Sequence, residues 1–91
     1  SSDLLLRHDG KEMSEKYIRI LRDGFASMDM AENILIIKTV PGMAMAVAAA
    51  IDALQWHEIA GCIAGDDTIM CAVRSKEETV NVMDRLRGMV M

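Results

Sequence analysis

Aromatic residues are almost missing from this chain of 91 residues: one tryptophan, one tyrosine and one phenylalanine, 3% in all. Its apolar content is therefore aliphatic, alanine and methionine, nine of the last, and reaches 52% without counting glycine. A soluble domain averages about 45–50% with glycine included. So small a domain has too little interior for that much apolar surface, and part of it is expected to face other subunits. Basic clusters are missing too. Ten basic against 14 acidic side chains leave a net charge of −4, whereas holding DNA needs an electropositive face; this stretch by itself is a poor nucleic-acid binder.

Long hydrophobic runs are absent as well. The longest uncharged one, Thr39 to Ile51, has 13 residues, too short for a bilayer. No secretory signal with a basic start and cleavage site is visible, and Ser1-Ser2-Asp3 reads as a fragment edge. The two cysteines form no Cys-x-x-Cys pair, and without a secretory signal they read as reduced thiols of a cytoplasmic protein rather than a disulfide framework. There is no glycine-rich phosphate loop, no internal repeat and no serine, histidine and acid arrangement for nucleophilic catalysis. A metal site from His8 and His57 is disfavoured, and the methionines read as adaptable core filler.

Residues 1–14, which mix Leu4-Leu5-Leu6 with Arg7, His8, Asp9, Gly10 and Lys11, read as a linker or arm; residues 15–91 read as one domain. Ser14 is placed to cap a short helix with Tyr17, Ile20 and Leu21 on one face and Gly24 as its stop. Alternation then predicts a strand, with Ala26, Met28 and Met30 on one side and Phe25, Ser27 and Asp29 on the other. After a turn at Ala31-Glu32-Asn33, Ile34 to Thr39 is apolar enough to lie centrally in a sheet. Pro41 favours the start of the next helix, which runs to about Leu54 and carries no charge until Asp52. Alanines occupy much of its circumference, which suits burial on two sides, although alanine is also the best helix former and tolerates solvent. Glu58 to Ala64 and Thr68 to Arg74 read as a hairpin around Gly65-Asp66-Asp67. A loop of just the two aspartates would put Cys62 opposite Cys71; a longer loop with Gly65 left-handed would shift that register. Ser75-Lys76-Glu77-Glu78 is a capping box for a last helix, apolar at Val82, Met83, Leu86 and Val90, with Arg85 and Arg87 suiting its negative end. The fold class is α+β: a four-stranded antiparallel sheet in the order β-β-α-β-β-α, with two helices on one face and a short N-terminal helix.

The hairpin tip is where chemistry concentrates. From Glu58 to Val73 there is no lysine or arginine, yet Asp66 and Asp67 stand side by side. Adjacent carboxylates without a local cation repel each other and attract one from outside. Three readings are open: a solvated turn pair, a divalent metal such as magnesium held by oxygen ligands, or a guanidinium whose planar fork matches a carboxylate. Asp52 is a further candidate, because a negative charge near a helix C-terminus is disfavoured by the dipole, and Met45 lies two turns back on nearly the same face.

Gly61-Cys62-Ile63-Ala64-Gly65-Asp66-Asp67-Thr68-Ile69 closely resembles the signature of the bacterial arginine repressor's C-terminal domain. Ile37-Lys38-Thr39-Val40-Pro41-Gly42, Ile51-Asp52-Ala53-Leu54 and Trp56 fall at that family's spacing, and the resemblance covers about residues 15–90. It implies a regulator and not an enzyme: the effector-sensing and oligomerisation domain of a transcriptional repressor of arginine metabolism. In that family the domain forms a trimer, and two trimers stack into a hexamer with L-arginine as corepressor at their interface. Operator DNA is bound only through an N-terminal winged-helix domain that this chain lacks. No metal or other cofactor is implied. Carried across by position, Asp66 would hold the guanidinium, Asp67 and Asp52 would contact the polar end of an arginine, and the backbone near Ala64 and Thr68 would line the pocket. Two positions depart from the usual pattern. Met45 stands where glutamine or histidine is common, and Cys62 where threonine is usual; neither side chain hydrogen-bonds as well as the residue it replaces. The competing expectations are a magnesium-dependent hydrolase or nucleotidyl transferase using Asp66 and Asp67, and a relative that assembles but has lost arginine.

Overall fold

The computed structural model describes residues 15–90. The proposed arm over residues 1–14, with the Ser14 cap and His8, lies outside them. Helix α1 occupies residues 15–24 and is followed by β1 (Phe25–Ala31), β2 (Ile34–Thr39), α2 (Ala44–Leu54), β3 (Ile59–Ala64), β4 (Thr68–Val73) and α3 (Lys76–Val90). The strands form one antiparallel sheet in the order β1-β2-β4-β3, so the expected α+β architecture is the one observed. Both hairpins are local, and the single non-local pairing, β2 with β4, joins them at the centre.

One face of the sheet carries the core. Leu35, Ile37, Ile69, Cys71 and Val73 point to it and are buried, and they meet Val47 and Ile51 of α2 and Val82 and Leu86 of α3. Alternate burial along β2 and β4 is the period-two pattern of strands with one covered side. Leu21 of α1 is fully buried in the same core, with Tyr17 and Ile20 packed beside it. Gly24 ends α1 at a close approach: a Cβ there would lie 2.5 Å from Val47 Cγ2.

The other face bears Ile34, Ile36, Ile63 and Met70, with Ile63 76% exposed. No described element covers it. Helix α2 is similarly one-sided: Ala44, Val47, Ala48, Ala50 and Ile51 are buried, while Met45, Ala46, Ala49, Asp52 and Ala53 are exposed. These two apolar surfaces account for the excess of aliphatic residues over what the core can hold.

Two local readings are corrected. In β1 a bulge puts Ala26 between Phe25, paired with Thr39, and Ser27, paired with Lys38. The extra residue reverses the alternation, so Phe25 joins Met28 against the core instead of lying with Ser27 and Asp29. Pro41 does not open α2. Met43 N–H donates to the Val40 carbonyl at 3.1 Å, and Gly42 between them has φ +84°. This is a type II turn, with proline at its second position and glycine at the third, where positive φ is required; the helix begins three residues later.

At the C-terminal helix, Ser75 Oγ accepts the Glu78 N–H at 3.1 Å, the first half of the anticipated capping box. Arg87 pairs with Asp84 at 2.9 Å in the last turn. Arg85 does something the dipole argument did not foresee: its Nη2 donates to Glu58 Oε2 at 2.6 Å, and its guanidinium lies 4.8 Å from the centre of the Trp56 ring. That tie fastens α3 to the start of β3. The hydrogen bond from Arg85, reinforced by the charges of Arg85 and His57, holds the Glu58 carboxyl below the usual range. A carboxylate depressed in the folded state contributes stability above its unfolded pKa, about 4.3 for glutamate, and loses it as pH falls through the lowered folded value. Thermal unfolding followed from about pH 6 to pH 3 is therefore expected to fall less steeply on the acid side for Glu58→Gln than for the unaltered chain; parallel curves would show that the pair does not contribute.

Candidate functional site

The β3–β4 hairpin closes through Gly65 N–H donating to the Thr68 carbonyl at 2.8 Å, so its loop is the two aspartates alone. Gly65 does not have positive φ, and the short-loop register holds: Ala64 faces Ile69, and Cys62 faces Cys71. The tip is then fastened to the segment entering α2 by its main chain. The Asp66 carbonyl accepts the N–H groups of Gly42 (3.1 Å) and Ala44 (3.2 Å), and the Asp67 carbonyl accepts that of Thr39 (2.8 Å). Helix α2 has no side-chain cap at Met43; the Asp66 carbonyl satisfies one of the N–H groups that its first turn leaves unpaired.

This arrangement separates the jobs of backbone and side chain. Asp66 and Asp67 are exposed, and among the described residues neither carboxylate forms a salt bridge. Both sit beside the N-terminal, positive end of α2, which favours negative charge there. The tip is not without a local cation, however. Lys38 on β2 faces Thr68 across the sheet; its Nζ donates to Thr68 Oγ1 at 3.0 Å, and Thr68 Oγ1 donates to Asp67 Oδ1 at 3.0 Å. Lys38 was not among the residues singled out as a site. It is 30 positions from Thr68, and only the pairing of β2 with β4 brings it there.

The other expected site residues divide into two groups. Met45, 73% exposed in the first turn of α2, lies at the tip end with Asp66, Asp67 and Thr68. Ala64 is half-buried at the end of β3 and packs on the core. Asp52 is at the opposite end of α2, about 12 Å along the helix axis from Ala44 at 1.5 Å per residue, beside Gln55, Ala60 and Gly61. Cys62 is half-buried under α2's side of the sheet, its Sγ 2.7 Å from Cys71 Sγ. One chain therefore gathers Asp66, Asp67, Thr68 and Met45 but not Asp52. His57 is exposed and faces Glu58 at 3.8 Å. No group of three or more potential metal ligands occurs among the described residues.

A regulatory class of domain matches this fold and tip: the profile of the arginine repressor C-terminal domain covers residues 21–88. Individual relatives agree. The chain is 63% identical over 87 residues to the arginine repressor of Lachnoclostridium phytofermentans, covering 96% of this chain and 57% of that protein. It is 59% identical over 85 residues to the arginine repressor of Lachnospira eligens (93% and 56%), and 44% identical over 75 residues to that of an Exiguobacterium species (82% and 50%). The chain belongs to the arginine repressor C-terminal domain family, a family of transcriptional regulators and not of enzymes. It spans just over half the length of the first two relatives. No helix among the described residues is long and apolar enough to cross a membrane.

Proposed function

We propose that this chain is the effector-sensing and assembly part of an arginine-dependent repressor of arginine metabolism, binding L-arginine between copies of itself in the cytoplasm. The observation that carries the reading is the division of labour at the tip: the main chain of Asp66 and Asp67 anchors the hairpin, and their carboxylates are spent on no ion pair among the described residues. A planar guanidinium can donate two parallel hydrogen bonds to such a carboxylate. In this reading Asp66 takes the guanidinium, and Asp67 with the backbone at Ala64 and Thr68 lines the pocket. Asp52, some 12 Å along α2 by helix rise, is supplied by a neighbouring chain and meets the polar end of the ligand. Met45 and Cys62 flank the site and offer that end little hydrogen bonding.

The uncovered sheet face and the exposed side of α2 support trimers stacked into a hexamer. A cation bridging the acidic tips relieves their mutual repulsion, and because it binds the assembled form it stabilises that form by mass action. Operator DNA would be held by a winged-helix domain joined to this one, with arginine acting as corepressor if the liganded assembly poses those domains for DNA.

Titration with L-arginine, citrulline, lysine and magnesium, followed by thermal unfolding and sedimentation, tests this. Arginine alone is expected to raise the melting temperature and to favour hexamers. Stabilisation by magnesium and not arginine would favour a metal-dependent site, and equal weak responses to arginine, lysine and citrulline would indicate a relative that only assembles.

A further inference from the structure

Cys62 flanks the proposed ligand site, but that reading makes no use of the pair it forms with Cys71. Antiparallel pairs alternate between hydrogen-bonded and non-hydrogen-bonded, and the side chains of the latter lie closer together. Gly65 and Thr68 form a hydrogen-bonded pair at the loop. Counting back along the register, Ala64–Ile69 is non-hydrogen-bonded, Ile63–Met70 hydrogen-bonded, and Cys62–Cys71 non-hydrogen-bonded. Such pairs have Cα atoms about 4.5 Å apart, inside the range of about 4.4–6.8 Å that a disulfide spans. The two sulfurs are already 2.7 Å apart in a hydrogen bond, and the bulge in β3 lies further from the loop, between Ile59 and Gly61. Bridging therefore needs no change of strand register.

The two thiols are also unequal. Cys71 is fully buried, whereas Cys62 is half-buried. The hydrogen bond from the Cys71 S–H pulls the Cys62 thiol below its ordinary range, against burial and the nearby charge of Asp52. The same contact pushes Cys71 far upward, with burial adding to it. Since the thiolate is the nucleophile, Cys62 is the thiol that reacts first and Cys71 the one that resolves.

We propose that Cys62 and Cys71 form a reversible cross-strand disulfide when the chain meets a hydroperoxide, which makes the β3–β4 hairpin a redox-responsive element. The Cys62 thiolate attacks the peroxide, the O–O bond breaks, and Cys62 becomes a sulfenic acid while the other oxygen leaves as water or an alcohol. The Cys71 sulfur then attacks the Cys62 sulfur; the S–O bond breaks, and the hydroxide leaves as water with the Cys71 proton. Two thiols and one hydroperoxide thus become one disulfide, one alcohol (or water) and one water. A dithiol reductant reverses the bridge by exchange. The closed ring includes the Asp66–Asp67 loop, but its formation does not depend on the arginine reading.

The test uses the whole chain without arginine, reduced, exposed to hydrogen peroxide, then alkylated under denaturing conditions and weighed intact. The expected product is a single chain lighter by two hydrogens, with no alkylated cysteine, that regains both thiols after dithiothreitol. Cys71→Ser is expected to stop at a sulfenic acid on Cys62 that dimedone captures, and Cys62→Ser to leave Cys71 unmodified in the folded chain. Two alkylated thiols in the unaltered chain, after an exposure that oxidises free dithiothreitol in the same solution, would overturn the proposal. So would chains joined to one another through disulfides in place of internally bridged ones. Failure of the arginine titration would leave this result standing, and the converse also holds.

Discussion

Asp66→Asn is expected to abolish the thermal stabilisation that arginine confers while leaving the domain folded. The structural duty of this residue is carried by its carbonyl, which accepts the Gly42 and Ala44 N–H groups, and asparagine keeps that carbonyl. Its carboxylate, exposed and without a salt bridge among the described residues, is what a guanidinium would require. A ligand present at a hundred times its dissociation constant stabilises by about 2.7 kcal/mol per site, on the order of 10 °C for a domain of this size. Differential scanning calorimetry with and without excess arginine would therefore show a large shift in the unaltered chain and almost none in the variant. A variant that still responds fully would remove Asp66 from the site. A variant that melts early in both conditions would mean that the tip needs the charge for folding.

The second large effect concerns packing far from the tip. Gly24→Ala places a methyl 2.5 Å from Val47 Cγ2 and 3.1 Å from Met43 Cε. Met43 can swing its flexible end aside; Val47 is buried in the core and cannot. Overpacking of this kind costs about 1–3 kcal/mol, enough to lower the melting temperature by roughly 4–24 °C. Val47→Ala removes the offending methyl, so the double variant is expected to lose less stability than the two single costs added together. Additive losses in chemical denaturation would show that α1 simply moves away from α2.

How far the residues alone led can be judged position by position. A run of apolar residues after a turn signal placed β2, the Gly65-Asp66-Asp67 turn placed β3 and β4, and a stretch without charge until Asp52 placed the C-terminal end of α2 at Leu54. The Gly-Asp-Asp tip and its family resemblance were legible because a hairpin is local and its composition lies within ten residues. The loop length and register stayed open between two readings until the Gly65–Thr68 hydrogen bond decided them. Ala26 and Pro41 were misjudged for opposite reasons. A bulge adds a residue without any compositional mark in a strand of small side chains, and proline followed by glycine serves a type II turn as readily as a helix entry.

Local order along the chain was thus enough for the element sequence, the α+β class, the acidic tip and the surplus of apolar surface, since each follows from spacing between near neighbours. Where that surplus lies required the packed fold: three helices cover one side of the sheet and leave Ile63 and Met70 on the other. The fold likewise brought Lys38 to Thr68, moved Asp52 away from the tip and seated the Asp66 carbonyl on α2. Each of these depends on β2 meeting β4 or on a helix crossing a strand, and contacts between distant residues are set by packing that no short window of residues contains.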